Sequence, residues 1–105
     1  MTLPVGAKTE KQIQREIVQL CEQCGCAVYS TSQMRPSRVS EGISDLIAMS
    51  PQRGIAFLEV KRPGGKQRAT QAQFQRDCEA AGGTYILAEN VEIVRDWLAG
   101  KREAK

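Results

Sequence analysis

Between Gly54 and Lys61 the sequence reads GIAFLEVK, an apolar run that closes on Glu59-Val60-Lys61, and upstream of it stands Gly42-Ile43-Ser44-Asp45-Leu46. In a strand the side chains alternate, so Glu59 and Lys61 would share a face, about 7 Å apart along the chain. A carboxylate and an ammonium at the end of a segment otherwise fit for burial are costly unless they pair or hold a metal. Asp45 opens a second apolar run, DLIAM, which makes the set two carboxylates and a lysine. Hard cations such as Mg²⁺ take oxygen ligands, and one or two carboxylates suffice when water and phosphate supply the rest. This pattern points to metal-dependent phosphodiester hydrolysis. The plainer alternative is a same-face surface pair worth little energy, so the rest of the chain has to decide.

Charge distribution adds to the first reading. The net charge of +3 discriminates little, but Lys61, Arg62, Lys66, Arg68 and Arg76 follow one another with no acidic residue among them. Arg35 and Arg38 form a second basic pair in the polar loop before Asp45. Basic loops flanking an acidic metal site suit a polyanion whose phosphate must enter it. We therefore take Arg35, Arg38, Arg62, Lys66 and Arg68 as candidate nucleic-acid contacts.

The elements that must position these residues can be read in order. Residues 1–8 look like a loose leader. Thr9 begins T-E-K-Q, in which Thr9 caps a helix and Gln12 reaches back. Ile13, Ile17, Leu20, Cys21 and Cys24 then recur at helical spacing until Gly25. Ala27 to Ser30 reads as a strand, and a polar loop from Thr31 to Gly42 leads to a strand over Asp45 to Met49. Pro51 to Gly54 turns the chain into a strand from Ile55 to Lys61, a hairpin. Pro63-Gly64-Gly65 breaks it. A helix over about Thr70 to Ala81, a strand over Thr84 to Ala88, and a helix capped by Asn90 and running to Leu98 complete the order αβββαβα. One domain with a core of about residues 9–99 is expected, an α/β fold whose mixed sheet is flanked by helices. With 105 residues, it can bury a core without disulfides.

Helical phase brings in two further side chains. At 100° per residue, Glu10 falls in the middle of the arc made by Ile13, Ile17, Cys21 and Cys24, so it is expected to look toward the sheet. Helix dipoles also favour acids in first turns for no functional reason. Gln71 shares a side with Phe74 and Cys78, which can aim its amide at the site.

Other function classes are bounded by what the sequence lacks. It contains no histidine, and no Ser or Cys triad suggests itself, so direct attack by water is the hydrolytic route these residues support. Cys21, Cys24, Cys26 and Cys78 fit a reducing compartment. C-x-x-C-x-C raises structural zinc, but small buried side chains are the preferred reading. With no apolar run near about 18 residues and no charged-then-apolar leader, a soluble cytoplasmic protein without membrane contact is expected.

The ordered set Glu10…Gln14…G-I-S-D-L-I…F-L-E-V-K-R-P-G-G-K…Gln71-x-x-Phe74…A-G-G resembles the VRR-NUC branch of the PD-(D/E)XK nucleases, from about Glu10 to Leu98. The resemblance implies that Asp45 and Glu59 carry Mg²⁺ or Mn²⁺, aided by the Val60 backbone carbonyl. It makes Lys61 the motif lysine, Glu10 the first-helix acid and a further candidate metal ligand, and Gln71 the second-helix glutamine. Two positions depart from the family pattern. Ser44 stands where many relatives have proline, and Arg68 replaces the threonine that usually caps the second helix, which leaves the aim of Gln71 open.

A single-domain form of this kind is similar to stand-alone phage and prophage nucleases, which are homodimers acting on branched DNA such as four-way junctions. The resemblance thus implies a metal-dependent DNA endonuclease in a bacterial or phage setting. A structure-nonspecific or flap nuclease, and a non-catalytic DNA-binding module on the same fold, are the alternatives. The last helix, with Ile93, Val94, Trp97 and Leu98, is one candidate dimer face, unless those residues fill the core.

Overall fold

The computed structural model describes residues 7–31 and 41–101 and shows seven elements in the expected order. Helix α1 (Glu10–Gln23) starts at Thr9. The Thr9 hydroxyl accepts from the Gln12 N–H, and the Gln12 side chain accepts from the Thr9 N–H, so two orphan donors of the first turn are satisfied reciprocally. Ile13, Ile17 and Cys21 are its buried stripe. Cys24, expected on that stripe, is the exposed C-cap. Gly25 follows at φ +81°, which a side chain would resist, and turns the chain into β1 (Ala27–Ser30).

Strands β2 (Leu46–Ser50) and β3 (Gly54–Val60) form the antiparallel hairpin. Both begin or end one residue away from the sequence expectation, so Asp45 and Lys61 fall just outside the ladder. At Asp45 a side chain takes over from the backbone: its Oδ2 accepts the Val60 N–H at 2.7 Å. The Asp45 carbonyl is already engaged by the Thr31 N–H at 2.9 Å. Helix α2 (Ala69–Ala80) then crosses to β4 (Thr84–Ala88), which pairs parallel with β3. Helix α3 (Val91–Leu98) is capped by the Asn90 side chain, which accepts from the Ile93 N–H. The sheet order is β1-β2-β3-β4.

Paired residues in a sheet share a face, so the register assigns every side chain to one of two surfaces. Leu46 pairs with Leu58 and Leu58 with Ile86, while Ala48 pairs with Ala56 and Val60 with Ala88. All seven are buried, in one cluster with Ile13, Ile17 and Cys21 of α1 and Val94 and Trp97 of α3. Each large side chain buried in this way contributes about 1.5–3 kcal/mol. Trp97 and Val94 are thus core residues, and Ile93 and Leu98 pack against the same cluster. That corrects α3 as a candidate dimer face: its apolar stripe is spent on the fold.

The opposite face carries Ile47, Met49, Ile55, Phe57, Glu59, Tyr85 and Leu87. Helix α2 covers only its β3–β4 half. There the Phe74 ring meets Phe57 edge-on at 5.4 Å between centroids and lies 6.1 Å from Tyr85. Among the described residues no helix is long and apolar enough to cross a membrane.

Candidate active site

At the Asp45 end of this second face the acidic residues meet. The hairpin register ends at Leu46 opposite Leu58, and one further step sets Asp45 opposite Glu59, on the same surface. Glu59 is 1% exposed although it lies one residue from the strand end. Its Oε2 accepts a hydrogen bond from Gln71 Nε2 at 2.8 Å and faces Lys61 Nζ at 3.8 Å. The amide orientation of Gln71 is fixed from its other end, because Gln71 Oε1 accepts the Arg68 N–H at 2.8 Å. A guanidinium has no acceptor, so Arg68 cannot cap α2 itself. Gln71 does so from inside the first turn, and its Nε2 is thereby aimed at Glu59.

Glu59 Oε1 is buried and has no hydrogen-bond partner. The carboxyl is correspondingly hard to ionise. Burial, and next the neighbouring Asp45 charge, push its pKa up to about 8, with Lys61 pulling the other way. A buried carboxyl beside a half-buried carboxylate, with one oxygen tied and one left over, is poorly satisfied by the protein alone.

No protein-family model matches the chain, and no curated protein matches it in sequence. Among solved structures, one described as a "VRR_NUC domain" superposes with a TM-score of 0.70, covering 85% of this chain and 95% of that one at 21% identity. The chain has the VRR_NUC fold. At that identity the likeness establishes architecture alone.

Of the residues singled out in the sequence, the VRR_NUC fold brings four together: Asp45, Glu59, Lys61 and Gln71. The Val60 backbone lies among them, since its N–H is bound by Asp45. Glu10 is not part of this bonded set. It is exposed rather than turned toward the sheet, and among the described residues it has no hydrogen bond or ion pair. It stands one turn before the buried stripe of Ile13, Ile17 and Cys21, and α1 packs that stripe into the apolar core on the face opposite Glu59. Arg62, Lys66 and Arg68 are exposed and without ion pairs among the described residues, free to meet a solvent-borne anion. Arg35 and Arg38 lie outside the described residues.

The cysteines do not assemble into a centre. Among the described residues no group of three or more His, Cys, Asp or Glu side chains is placed to hold a metal ion. Cys21 sits in the core, where burial pushes its thiol up to about 12, away from the thiolate that zinc requires.

Several residues that support the site had no sequence signal pointing to them. Tyr85 is buried on the Glu59 face, and its hydroxyl accepts from Gln67 Nε2 at 3.1 Å. Gln67 also donates to Gln75 Oε1 at 3.0 Å, which ties the loop before α2 to the helix and to β4. The alternation of T-Y-I-L-A predicts two faces for β4, but which one meets Glu59 depends on a parallel register invisible in the sequence. Gly42 has φ +81°, and a β-carbon there would stand 2.2 Å from the Thr70 carbonyl oxygen. This close approach sets the segment leading to Asp45 directly against the first turn of α2, which carries Gln71. The hydroxyls of Thr31 and Ser44 complete the brace: Thr31 donates to the Ser44 carbonyl, and Ser44 donates to the Leu46 carbonyl at 3.0 Å.

Proposed function

We propose that this chain is a divalent-metal-dependent DNA endonuclease, using Mg²⁺ or Mn²⁺, that hydrolyses phosphodiester bonds from the Asp45–Glu59–Lys61 site. We further propose that it acts as a homodimer on branched DNA such as four-way junctions, in the cytoplasm of a bacterial or phage-infected cell. The observation that carries the reading is Glu59: a carboxyl group 1% exposed, set beside a second carboxylate, with Oε1 left without a partner. Burying such a group is expensive unless something cationic completes it. Asp45, Glu59 and the Val60 carbonyl would hold the ion, and the donor set fits, because all three offer oxygen. In a strand the N–H and C=O of one residue point to the same neighbour, so the Val60 carbonyl shares the edge on which its N–H meets Asp45. Bound there, the metal would supply Lewis acidity toward the scissile phosphate and toward water.

The chain's own residues have separate tasks in this reading. Gln71 holds Glu59 by one oxygen and leaves the other for the ion. Lys61 orients the attacking water and offsets charge developing on the phosphate. Arg62, Lys66 and Arg68, with Arg35 and Arg38, contact the DNA backbone, which makes binding salt-dependent.

The test is cleavage by purified protein of single-stranded, duplex, flap and four-way junction DNA, in Mg²⁺, in Mn²⁺ and in excess chelator. Cutting that needs the metal and favours the junction is the expected result. Equal cutting of duplex and junction would remove the structural selectivity. Binding without cleavage in either metal would leave a DNA-binding module.

A further inference from the structure

Tyr85 stands on the same face of the sheet as Glu59. It pairs with Phe57 in the parallel β3–β4 register, and Glu59 is the next residue of β3 on that surface. Diagonal neighbours of this kind lie about 7–8 Å apart at the backbone, within reach of a side chain as long as tyrosine. Tyr85 is 5% exposed, and its ring is held beside Phe74 of α2. The hydroxyl accepts from Gln67 Nε2 at 3.1 Å and, among the described residues, donates to no acceptor. On the same surface Glu59 Oε1 is buried and accepts from no donor. A spare donor and a spare acceptor thus share one closed region of the site.

The direction of the spare hydrogen is set from the far end of a chain of side chains. An ionised carboxylate only accepts, so Gln75 presents Nε2 to Glu79, at 3.3 Å. Gln75 Oε1 is left for Gln67, which meets it with Nε2 at 3.0 Å. The other hydrogen of Gln67 Nε2 goes to Tyr85. Flipping either amide would set like against like. An amide nitrogen offers no lone pair, so the phenolic hydrogen cannot turn back toward Gln67. Tyr85 is therefore an acceptor on one side and a donor on the other. Burial, and next the Glu59 charge, push the pKa of the phenol up, so it keeps that proton.

We propose that Tyr85 is a positioning residue of the active site: its hydroxyl, held by Gln67, is the second donor to the Glu59 carboxylate, beside Gln71, when a divalent cation occupies the site. The inference rests on the metal-dependent function proposed for the Asp45–Glu59–Lys61 site. A carboxylate has about four lone-pair positions. Gln71 takes one of them at Oε2, which leaves room for both the phenol and an ion. One hydrogen bond lets a carboxyl group swing about its bond, whereas two donors, one from α2 and one from β4, fix its plane. Losing such a partner behind a ligating side chain typically costs about 10–100-fold in metal affinity. The role also explains why Gln67 turns inward between Lys66 and Arg68, which are both exposed.

Calorimetric titration of Mn²⁺ into the DNA-free protein reads this role without catalysis. Tyr85→Phe keeps the ring beside Phe74 and removes only the oxygen. It is expected to weaken Mn²⁺ binding about 10-fold or more, with circular dichroism and melting temperature close to wild type. Gln67→Ala frees the hydroxyl and should weaken binding by a smaller factor. The double variant should bind no more weakly than Tyr85→Phe, because Gln67 acts only through the hydroxyl. Tyr29→Phe removes the hydroxyl of the chain's other tyrosine and should bind as the wild type does. In single-turnover cleavage the Tyr85→Phe loss should be recovered by raising Mn²⁺. Wild-type affinity in Tyr85→Phe overturns the proposal, and so do losses that multiply in the double variant. A rate loss that persists at saturating Mn²⁺ would place the hydroxyl in the chemical step and overturn the positioning role. A wild type that binds no Mn²⁺ overturns the metal site and this role with it. The expected affinities in a protein that cuts no DNA would count against the nuclease reading and leave the role of Tyr85 standing.

Discussion

Under α1 and α3 the sheet presents Leu46, Ala48, Ala56, Leu58, Val60, Ile86 and Ala88, all apolar and all buried. The residues between them on the same strands face the other way, and there the pattern changes: Glu59 is buried with an unmatched oxygen, while Met49 and Ile55 are exposed. One surface follows the rules of a core at every position, and the other breaks them in both directions. The contrast separates two kinds of work. The covered face supplies the free energy of folding, which lets its reverse carry a destabilised carboxyl at Glu59 and exposed apolar side chains at Met49 and Ile55. Residues that cost stability on the second face are therefore where function should be sought.

Substitutions can break that comparison. On the covered face, Trp97→Ala and Leu58→Ala should lower unfolding free energy by about 3–5 and 2–5 kcal/mol, because each leaves a cavity in a closed core. On the other face, Glu59→Gln should cost nothing or raise stability at neutral pH, since it removes a carboxyl whose ionisation the folded site opposes. Urea unfolding of the three variants without metal decides the matter. A Glu59→Gln loss as large as that of Leu58→Ala would mean that the carboxyl is a structural element after all.

A smaller effect concerns pH. In the folded metal-free protein Glu59 keeps its proton up to about pH 8, whereas a free carboxyl releases it near 4.5. Between those values the folded state binds more protons than the unfolded one, so stability falls as pH rises. The contribution is fully present below about 4.5 and exhausted near 8. Melting temperatures measured from pH 5 to pH 8 should therefore decline more steeply in the wild type than in Glu59→Gln, and added Mg²⁺ should reduce the difference. Parallel profiles would show that Glu59 titrates normally and that the site is better solvated than its burial indicates.

The order of the elements was legible because each carries its own punctuation. T-E-K-Q, Gly25, Pro63-Gly64-Gly65, Gly82-Gly83 and Asn90 mark ends, and the observed bounds differ from the expected ones by about a residue. The pairing of Asp45 with Glu59 and Lys61 was legible too, since alternation fixes which residues share a face. Relations between elements were harder. Helical phase aligns Glu10 with the stripe of Ile13, Ile17 and Cys21, but it tells neither which face of the sheet α1 will cover nor that its first residue stays exposed. Arg68 looks like a missing cap in the sequence, and only the folded helix reveals that Gln71 fills the role with its own side chain. Gly42 reads as a loop glycine until the chain is folded and Thr70 is found against it. The exposure of Met49 and Ile55 has no sequence signature, because both look like core residues until the place of the covering helix is known.

The most direct test of the central claim is single-turnover cleavage of four-way junction DNA in Mg²⁺ by the wild type and by Glu59→Gln, with unfolding curves taken on the same preparations. Removing one oxygen ligand should cost several kcal/mol of transition-state stabilisation, a rate loss of roughly a thousandfold. That loss is expected in a protein at least as stable as the wild type and still able to bind the DNA. A Glu59→Gln variant that cuts at the wild-type rate would contradict it.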